Sequence, residues 1–413
     1  MEQPVMRVLL LSPEYTPELS GGVGTCVQEL ADALCQSGLV VTVVACTYRR
    51  AGIFEEASKT IHLIEPIHQD TRDGGQQSIV AGIAAFNRSL TSYTRALIAQ
   101  CRPDVIHCQN WVTFSAAFEL SREFDIPLVT TVHYVAEPIE RWWGQTPDPE
   151  IVEQEKAMFR DATNLVSVSA SMRDLIRETY HPRATQLPVV HNGINARRFL
   201  SPMRPAERAK LRLTLAAPDE KLVLFSGRLN PQKGISALMD AATIVLRENP
   251  KARLIIAGEA DSKEGSMCLR EKLERNPACK SGIRLLGKLP RKQLALLYQV
   301  ADLAVIPSVY EPFGYAAIEA MSAGVPVVAA ATGGLAEIVQ HEQTGLLVPL
   351  CVNEGLRSVD SAKLASALLA LLSDDSSARQ FGNAGRERAL QDFSFSKWAD
   401  SMRQVYCQAI HRA

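Results

Sequence analysis

The chain alternates short apolar runs with segments of helical period, and this alternation restricts the possible folds more than any other feature of the sequence. Short runs rich in Val, Ile and Leu predict strands that are buried on both faces. Strands that alternate with helices are typical of a parallel sheet covered by helices on both sides. The alternation occurs twice, and 413 residues suit two domains at about 100–200 residues each. The sequence therefore predicts an α/β protein with two sheets.

The first series of strands and helices predicts a Rossmann-like domain over residues 1–200. Its predicted strands are Val5–Ser12, Val40–Cys46, Asp104–Cys108, Pro127–His133, Leu165–Val168 and Pro188–Val190. Its main predicted helices are Gly24–Gln36, Ser78–Cys101 and Glu150–Arg160.

A second Rossmann-like domain is predicted over residues 201–395, after a polar and basic stretch. That stretch, Ala206–Arg212 with Pro202 and Pro205 before it, is the predicted linker. The strands that follow are Leu222–Ser226, Arg253–Ala257, Ile283–Leu286, Leu303–Pro307, Val325–Ala329 and Leu346–Val348. The predicted helices are Gly234–Arg247, Arg291–Val300, Tyr315–Ser322 and Ser361–Leu372. Residues 396–413 form a last segment, in which Ser396–His411 reads as an amphipathic helix that packs on a core.

Charge and composition exclude several classes of protein. Lys and Arg total 44 against 45 Asp and Glu, so no overall field attracts nucleic acid or anionic lipid. The nine cysteines show no CxxC pair and no metal-ligand spacing, which indicates reduced, buried thiols. Without a signal-like segment or an apolar run of membrane-spanning length, we expect a cytoplasmic protein; loose contact with a membrane surface is compatible with this composition.

The first candidate site is a glycine cluster between the first strand and the first helix. Gly21, Gly22, Val23 and Gly24 lie where backbone can approach a ligand and a helix N-terminus presents free N–H groups. The spacing is not G-x-G-x-x-G, and the second strand ends in Ala45–Thr47 without an acidic residue for a ribose, so a dinucleotide site is disfavoured. A flexible connection is the alternative interpretation.

The second candidate site is the loop that follows the first strand of the second domain. Arg228 and Lys233 lie there, at the carboxyl edge of a predicted parallel sheet, which is where such folds bind ligands. A guanidinium and an ammonium beside a glycine suit a diphosphate. The alternative is a pair of solvated surface charges.

The third candidate site carries the most weight in the functional prediction. Glu311 follows the strand Leu303–Pro307, and Glu319 lies eight positions later in the next predicted helix. A carboxylate near a helix start can accept two sugar hydroxyls, while nearby free backbone N–H groups, where the helix begins near Gly314 or Tyr315, can hold phosphate oxygens. Two acidic residues at this spacing are common by chance, but the Pro-Phe-Gly sequence between them favours a site.

Two further positions lie at predicted sheet edges. Gly333 and Gly334 precede a short helix, and the N-terminus of that helix is predicted to make a second phosphate contact. His133 ends a strand at the corresponding edge of the first domain. A lone histidine is equally compatible with a structural role.

Taken together these motifs resemble the family 4 glycosyltransferases, a group of retaining enzymes that includes glycogen-synthase-like members. The likeness extends over nearly the whole chain. It rests on motifs that occur in this order: Ser12–Tyr15, Gly21–Gly24, Thr131–His133, Asn192–Ile194, Gly227–Leu229, Lys233-Gly234, Glu311–Gly314, Glu319–Met321, Gly324–Val328 and Gly333-Gly334. The resemblance implies a GT-B fold, in which two Rossmann-like domains face across a cleft and the C-terminal helix crosses back to the first.

The resemblance also implies roles for the candidate residues. Arg228 and Lys233 match the pair that neutralises the donor diphosphate, which the backbone from Gly22 to Gly24 also approaches. Glu319 matches the acid that binds the ribose hydroxyls. Glu311 matches the acid that holds the donor sugar, with help from amides near Phe313 and Gly314.

His133 matches a residue placed beside the donor sugar, where its backbone carbonyl stabilises positive charge. The residue after it in the family is often acidic, whereas Tyr134 stands here. This departure leaves the selection of sugar or acceptor open.

The implied activity is transfer of a hexosyl group from a UDP-, ADP- or GDP-linked sugar to a hydroxyl acceptor. Glucan, lipid-linked and small-molecule glycoside acceptors all stay open, with a lean towards glucosyl transfer of glycogen-synthase type. No residue stands out as a covalent nucleophile, so retention of configuration follows from the resemblance alone. Two cations can neutralise the diphosphate and no Asp-x-Asp pair lies in a ligand-like loop, so we expect no metal and no cofactor.

Three other functions are considered. A nucleotide-sugar epimerase of similar fold would interconvert the donor without an acceptor. A non-catalytic sugar-nucleotide sensor would keep the phosphate-binding loops without turnover, although Glu311 as a sugar-holding acid argues against it. A glycogen phosphorylase-like enzyme would need a lysine setting for its cofactor, for which the sequence gives no support.

Overall fold

A computed structural model describes residues 5–15, 22–47, 51–65, 79–200, 203–260, 269–270, 273–274 and 276–412. The chain divides into two compact units, each with a largely parallel sheet. The first unit comprises Met1–Pro138, Pro147–Gly193 and Phe395–Ala413; the second comprises Ile139–Thr146 and Ile194–Ser394. The α/β class predicted from the alternating pattern is confirmed.

The first unit contains a seven-stranded sheet in the order β3-β4-β2-β1-β5-β6-β7. Its strands are β1 Arg7–Ser12, β2 Val40–Cys46, β3 Gly52–Glu56, β4 Lys59–Ile64, β5 Val105–Gln109, β6 Leu128–Val132 and β7 Leu165–Ser167. All neighbours are parallel except β3 and β4, which form an antiparallel pair at the edge. Residues that follow β5 and β6 therefore meet at one carboxyl edge.

Two strand predictions in this unit were wrong. The pair β3 and β4 was not predicted, because Ile53 and Phe54 are exposed on the edge strand and the buried charge of Lys59 begins its neighbour. Conversely, Pro188–Val190 is not a strand. Pro188 has no N–H to donate, and the segment contributes only one isolated bridge, between Ser167 and Val189.

Helices cover the sheet of the first unit. They are Gly22–Gln36, Ile79–Gln100, Phe114–Phe124, Pro149–Asp161, Ala170–Tyr180 and Phe395–Arg412, with a 3₁₀ turn at Trp111–Thr113. The last helix belongs to the first unit and buries Trp398, Met402 and Tyr406, which are residues of the predicted amphipathic pattern.

The second unit contains a six-stranded parallel sheet in the order β10-β9-β8-β11-β12-β13. The strands are β8 Lys221–Ser226, β9 Ala252–Ala257, β10 Ile283–Gly287, β11 Leu303–Ile306, β12 Val327–Ala330 and β13 Gly345–Val348. A separate antiparallel hairpin, β14 Leu350–Asn353 and β15 Leu356–Val359, was not predicted. The pairing of β8 with β11 places the loops after these two strands side by side.

Helices of the second unit include one that replaces the predicted linker. Helices in the described part of this unit include Arg197–Leu200, Pro205–Leu215, Ile235–Glu248, Pro277–Gly282, Arg291–Val300, Tyr315–Ser322, Leu335–Ile338, Ser361–Ser373 and Asp375–Asp392, with 3₁₀ turns at Glu140–Trp143 and Pro231–Lys233. The linker prediction for Ala206–Arg212 was wrong because Pro205 occupies the first helical position, where proline is favourable. Arg212 then donates hydrogen bonds to the carbonyls of Val300 and Glu220, which anchors the helix.

Candidate functional site

The loop after β8 is shaped by a glycine that contacts the neighbouring strand end. Gly234 has a φ of +68°, and a Cβ added there would lie 1.8 Å from the carbonyl oxygen of Pro307. Asn230 caps the 3₁₀ turn in front of it by accepting a hydrogen bond from the Lys233 amide at 3.1 Å. The loop is therefore held against the end of β11, with Lys233 at a fixed position.

Lys233 and Glu311 form an ion pair. Lys233 Nζ lies 2.5 Å from Glu311 Oε2, and the Ser308 hydroxyl donates to the same oxygen at 3.1 Å. The two charged side chains are only 20% and 14% exposed, so water screens them less than a surface pair. The residues of the second and third candidate sites thus form one cluster at the carboxyl edge of this sheet.

Gln232 joins the same two loops, and no sequence motif singled it out. It is buried, its Oε1 accepts from Arg228 Nη2 at 3.4 Å, and its Nε2 donates to the Tyr310 carbonyl at 3.4 Å. Its own carbonyl accepts from the Val309 amide at 2.9 Å. Gln232 therefore places Arg228 in the same cluster as Lys233 and Glu311.

Gly333 and Gly334 pack directly against the Glu311 loop. The Gly334 amide donates to the Glu311 carbonyl at 2.8 Å. A Cβ on Gly333 would lie 2.1 Å from that same carbonyl oxygen, and one on Gly334 would lie 2.2 Å from the Phe313 carbonyl oxygen. Close packing accounts for both glycines, and their role as a phosphate contact stays a prediction.

Glu319 lies in the helix Tyr315–Ser322 and is paired with a cation that the sequence did not single out. Arg291 Nη2 lies 3.0 Å from Glu319 Oε1, with the two side chains 19% and 9% exposed. Arg291 begins its own helix, so nothing in its local sequence distinguished it from a surface charge. The pairing arises from the packing of two helices that are separate in sequence.

Aromatic residues fix the start of the helix that carries Glu319. Phe313 is buried, and its ring centroid lies 5.4 Å from that of Tyr315. Gly314 between them has a φ of +125°, which disfavours any residue with a Cβ. Tyr298 also lies near this helix: burial, and then the neighbouring charge of Glu319, raise the pKa of its hydroxyl well above the ordinary value.

His133 follows β6 in the first unit and is held by the end of β5. Its Nε2 lies 2.7 Å from Gln109 Oε1, and its amide donates to Asn110 Oδ1 at 3.3 Å. Burial lowers the pKa of the His133 imidazole to about 4, so the ring is neutral at pH 7.

The segment after His133 is fixed by a buried carboxylate. Glu155 is fully buried and accepts from the Ala136 amide at 2.8 and 3.1 Å and from the Tyr180 hydroxyl at 2.5 Å. Tyr180 also donates to the Glu137 carbonyl at 3.0 Å. The chain from His133 to Pro138 is therefore tied to two helices of the first unit.

The predicted glycine site begins the helix Gly22–Gln36. The Gly24 amide lies 3.4 Å from Glu14 Oε2, an oxygen of the Ser12–Tyr15 motif. Gly21 lies outside the described residues, and the contact of Gly22, Val23 and Gly24 with a diphosphate stays a prediction.

Other chemical groups are arranged as follows. None of the eight cysteines in the described part of the chain forms a disulfide, and Cys268 lies outside that part. The described residues contain no group of three or more His, Cys, Asp or Glu side chains placed to hold a metal ion. Of the helices that the structure describes, none has both the length and the apolar character to span a bilayer.

Comparison with known proteins identifies the family. The family described as "Glycosyltransferase Family 4" matches residues 20–198, and that described as "Glycosyl transferases group 1" matches residues 207–388. A glycogen synthase of Mycobacterium tuberculosis is 30% identical over 98% of this chain and 95% of its own length. The chain is a family 4 glycosyltransferase. An α-maltose-1-phosphate synthase of the same organism is also 30% identical to this glycosyltransferase, over 97% of the chain and 99% of the relative.

Solved structures show the GT-B fold for this glycosyltransferase. Sucrose-phosphate synthase from Thermosynechococcus elongatus matches with a TM-score of 0.81 and 25% identity, covering 99% of this chain and 100% of that one. The Anabaena protein HepE in complex with UDP-glucose matches with a TM-score of 0.75 and 20% identity, covering 98% and 100%. The family and the fold class that the motifs predicted are both confirmed.

Proposed function

We propose that this glycosyltransferase moves a hexosyl group from a nucleoside-diphosphate sugar to a hydroxyl acceptor, with retention of configuration at the anomeric carbon. The observation that carries the proposal is the 2.5 Å contact between Lys233 and Glu311. A donor of this class presents a diphosphate and a polyhydroxyl ring joined at one atom. A cation and a carboxylate in contact match those two groups.

Departure of the nucleoside diphosphate is the step that needs assistance. Negative charge grows on the leaving phosphate while the anomeric carbon becomes oxocarbenium-like. Lys233 and Arg228 are the groups that stabilise the leaving charge, and they act where that charge develops. Since Gln232 contacts Arg228 and both neighbouring loops, the two cations are positioned before the reaction begins.

The two carboxylates hold hydroxyl groups. Glu311 accepts hydrogen bonds from hydroxyls of the donor sugar, and Glu319 accepts from the ribose. Arg291 fixes the orientation of the Glu319 carboxylate through its 3.0 Å contact. His133 acts beside the sugar, and Gly22, Val23 and Gly24 approach the diphosphate.

Relatives support a nucleotide donor and favour glucose as the first sugar to test. HepE was solved with UDP-glucose, and starch synthase IV from Arabidopsis thaliana was solved with ADP and acarbose. The glycogen synthase relative covers nearly the entire chain. Glucosyl transfer of glycogen-synthase type to a glucan is therefore our first candidate, ahead of lipid-linked and small-molecule acceptors. Neither a metal nor a cofactor is part of the proposal, and we place the reaction in the cytoplasm.

The test combines binding with product analysis. Thermal shift with UDP-, ADP- and GDP-glucose identifies the donor, since a ligand at 100 times its Kd stabilises by about 2.7 kcal/mol. The selected donor is then incubated with glycogen, maltose and lipid-linked acceptors in the presence of EDTA. We expect acceptor-dependent release of the nucleoside diphosphate and a product with the anomeric configuration of the donor.

Three results would contradict the proposal. Interconversion of the donor sugar without acceptor would indicate an epimerase, and binding of a donor without turnover on any acceptor would indicate a sensor. Transfer that EDTA abolishes and a divalent cation restores would show that Arg228 and Lys233 are not sufficient for the diphosphate.

A further inference from the structure

Two consecutive side chains at the end of β5 both contact His133. Gln109 Oε1 lies 2.7 Å from the imidazole Nε2, and Asn110 Oδ1 accepts from the His133 amide at 3.3 Å. The Asn110 amide in turn donates to the Thr131 carbonyl at 2.9 Å. One residue therefore holds the ring of His133, and the next holds its backbone.

Both residues are in arrangements that cost free energy. Asn110 has φ 63° and ψ −177°, a region of backbone conformation that glycine occupies and other residues rarely do. Gln109 has no exposed surface, and its Nε2 donates to no group among the described residues. Such features persist where the surroundings enforce them, and they cluster at functional sites.

We propose that Gln109 and Asn110 are positioning residues for the transfer reaction: Gln109 sets the orientation and tautomer of the His133 ring, and Asn110 sets the position of its backbone. This inference rests on the proposed function, in which His133 acts beside the donor sugar. Neither residue needs to contact the substrate.

None of the described residues that line the recess around the His133 ring is an Asp or a Glu, and this makes Gln109 decisive for the charge of the ring. His107 on β5 hydrogen-bonds Tyr406 of the C-terminal helix, and burial lowers the pKa of His107 to about 3. Burial also raises the pKa of Tyr406 well above its ordinary value. The Cys26 thiol on the helix Gly22–Gln36 also lines the recess that contains His133. A carboxylate at position 109 would therefore place an anion at hydrogen-bond distance from the ring.

The first experiment replaces Gln109 by glutamate, which keeps the shape and adds a charge. In Gln109→Glu the His133 pKa, measured by imidazole NMR against a His133→Asn reference, should rise by roughly one unit or more. The pH profile of kcat should shift in the same sense, because protonated His133 opposes positive charge at the sugar. Gln100→Glu makes the same change at an exposed helix end and should leave both measurements unchanged. An unchanged His133 pKa in Gln109→Glu overturns the inference.

The second experiment distinguishes a positioning role of Asn110 from an effect of Asn110 on the stability of the protein. Asn110→Gly relieves the backbone strain and removes the contact with the His133 amide, so kcat should fall roughly tenfold or more while Tm is unchanged or higher. Asn110→Asp keeps an acceptor oxygen and should restore most of kcat. Asp125→Gly changes another residue with positive φ, at an exposed helix end of the same unit, and should leave kcat intact. Wild-type kcat in Asn110→Gly would show that Asn110 has no positioning role.

The wild-type protein distinguishes the two proposals. If the wild-type protein does not release nucleoside diphosphate from any of the donors, the proposed function fails. The His133 pKa in Gln109→Glu still decides whether Gln109 controls the ring of His133. If the wild type is active and both variants match it, the positioning role alone is wrong.

Discussion

Lys233 Nζ lies 2.5 Å from Glu311 Oε2 although the two residues are 78 positions apart in the chain. The contact exists because β8 and β11 are parallel neighbours, so the loops after them leave the sheet at the same edge. Both side chains are mostly buried. Lys233 and Glu311 attract each other in this setting. Contacts of Lys233 with a diphosphate and of Glu311 with a sugar hydroxyl can replace part of that attraction.

Lys233→Ala should lower kcat by about 10²–10³-fold, because one contact to developing charge contributes about 2.7–4 kcal/mol to the barrier. Release of nucleoside diphosphate under donor saturation measures this loss. Lys363→Ala removes an exposed lysine from the same unit and serves as the control. Near-normal turnover in a folded Lys233→Ala protein would remove Lys233 from the reaction.

The Arg291–Glu319 pair should show energetic coupling. Each single change, Arg291→Met or Glu319→Gln, leaves one poorly exposed partner without its contact, whereas the double variant removes both. A double-mutant cycle from urea unfolding should give a coupling of about 0.5–3 kcal/mol. Additive effects would mean that the pair contributes no mutual stabilisation.

The same pair should affect donor binding. Glu319→Gln weakens acceptance of the ribose hydroxyls, so we expect a higher KM for the donor with a smaller change in kcat. Glu337→Gln alters an acid in another helix of the same unit and controls for a general charge effect. An unchanged donor KM in Glu319→Gln would contradict the ribose role.

The sequence predicted the parts of the candidate site that depend on loops after buried strands. Arg228, Lys233 and Glu311 lie in the loops that follow two apolar runs, and parallel pairing of those strands brings the loops to one edge. Gln232 and Arg291 were missed for a different reason. Their roles come from contacts between segments distant in sequence, and a polar residue in a loop or at a helix start carries no local sign of such a partner.

The errors in the fold have similar causes. Strand β4 contains Lys59, which is 6% exposed and paired with Asp32 at 2.5 Å. The sequence pattern counts Lys59 as polar, and Thr60 and His62 follow it in the same strand, so no continuous apolar run is present. In the helix Pro205–Leu215 no residue is buried, so no apolar stripe distinguishes it from a linker.

Acid should destabilise the first unit through His107. This residue is fully buried between Tyr406 and Thr131, and burial lowers its pKa to about 3. In the unfolded chain it titrates near 6.5, so between pH 6.5 and 3 the unfolded state binds the extra proton and stability falls as pH falls. Over that range His107 lowers the free energy of unfolding by about 1.4 kcal/mol for each unit by which the pH falls.

The pH dependence of the free energy of unfolding tests whether His107 causes this loss of stability in acid. His107→Gln removes the titrating group, so the loss of stability between pH 7 and pH 5 should be smaller by roughly 2 kcal/mol than in the wild type. His411→Gln, at an exposed site near the C-terminus, should leave the wild-type slope unchanged. Equal slopes in His107→Gln and the wild type would assign the acid sensitivity to other groups.

Gly234 and Gly287 offer a matched test of how the Lys233 loop is built. Their φ values are +68° and +69°, so an alanine at either position bears the same backbone cost of about 1–2 kcal/mol. A Cβ at Gly287 has nothing within 4 Å, whereas one at Gly234 would lie 1.8 Å from the Pro307 carbonyl oxygen. The clash can be relieved only if the loop moves away from β11, which separates Lys233 from Glu311. Gly234→Ala should therefore lose both Tm and kcat, while Gly287→Ala loses only Tm; equal kcat in the two variants would show that the position of this loop does not matter for transfer.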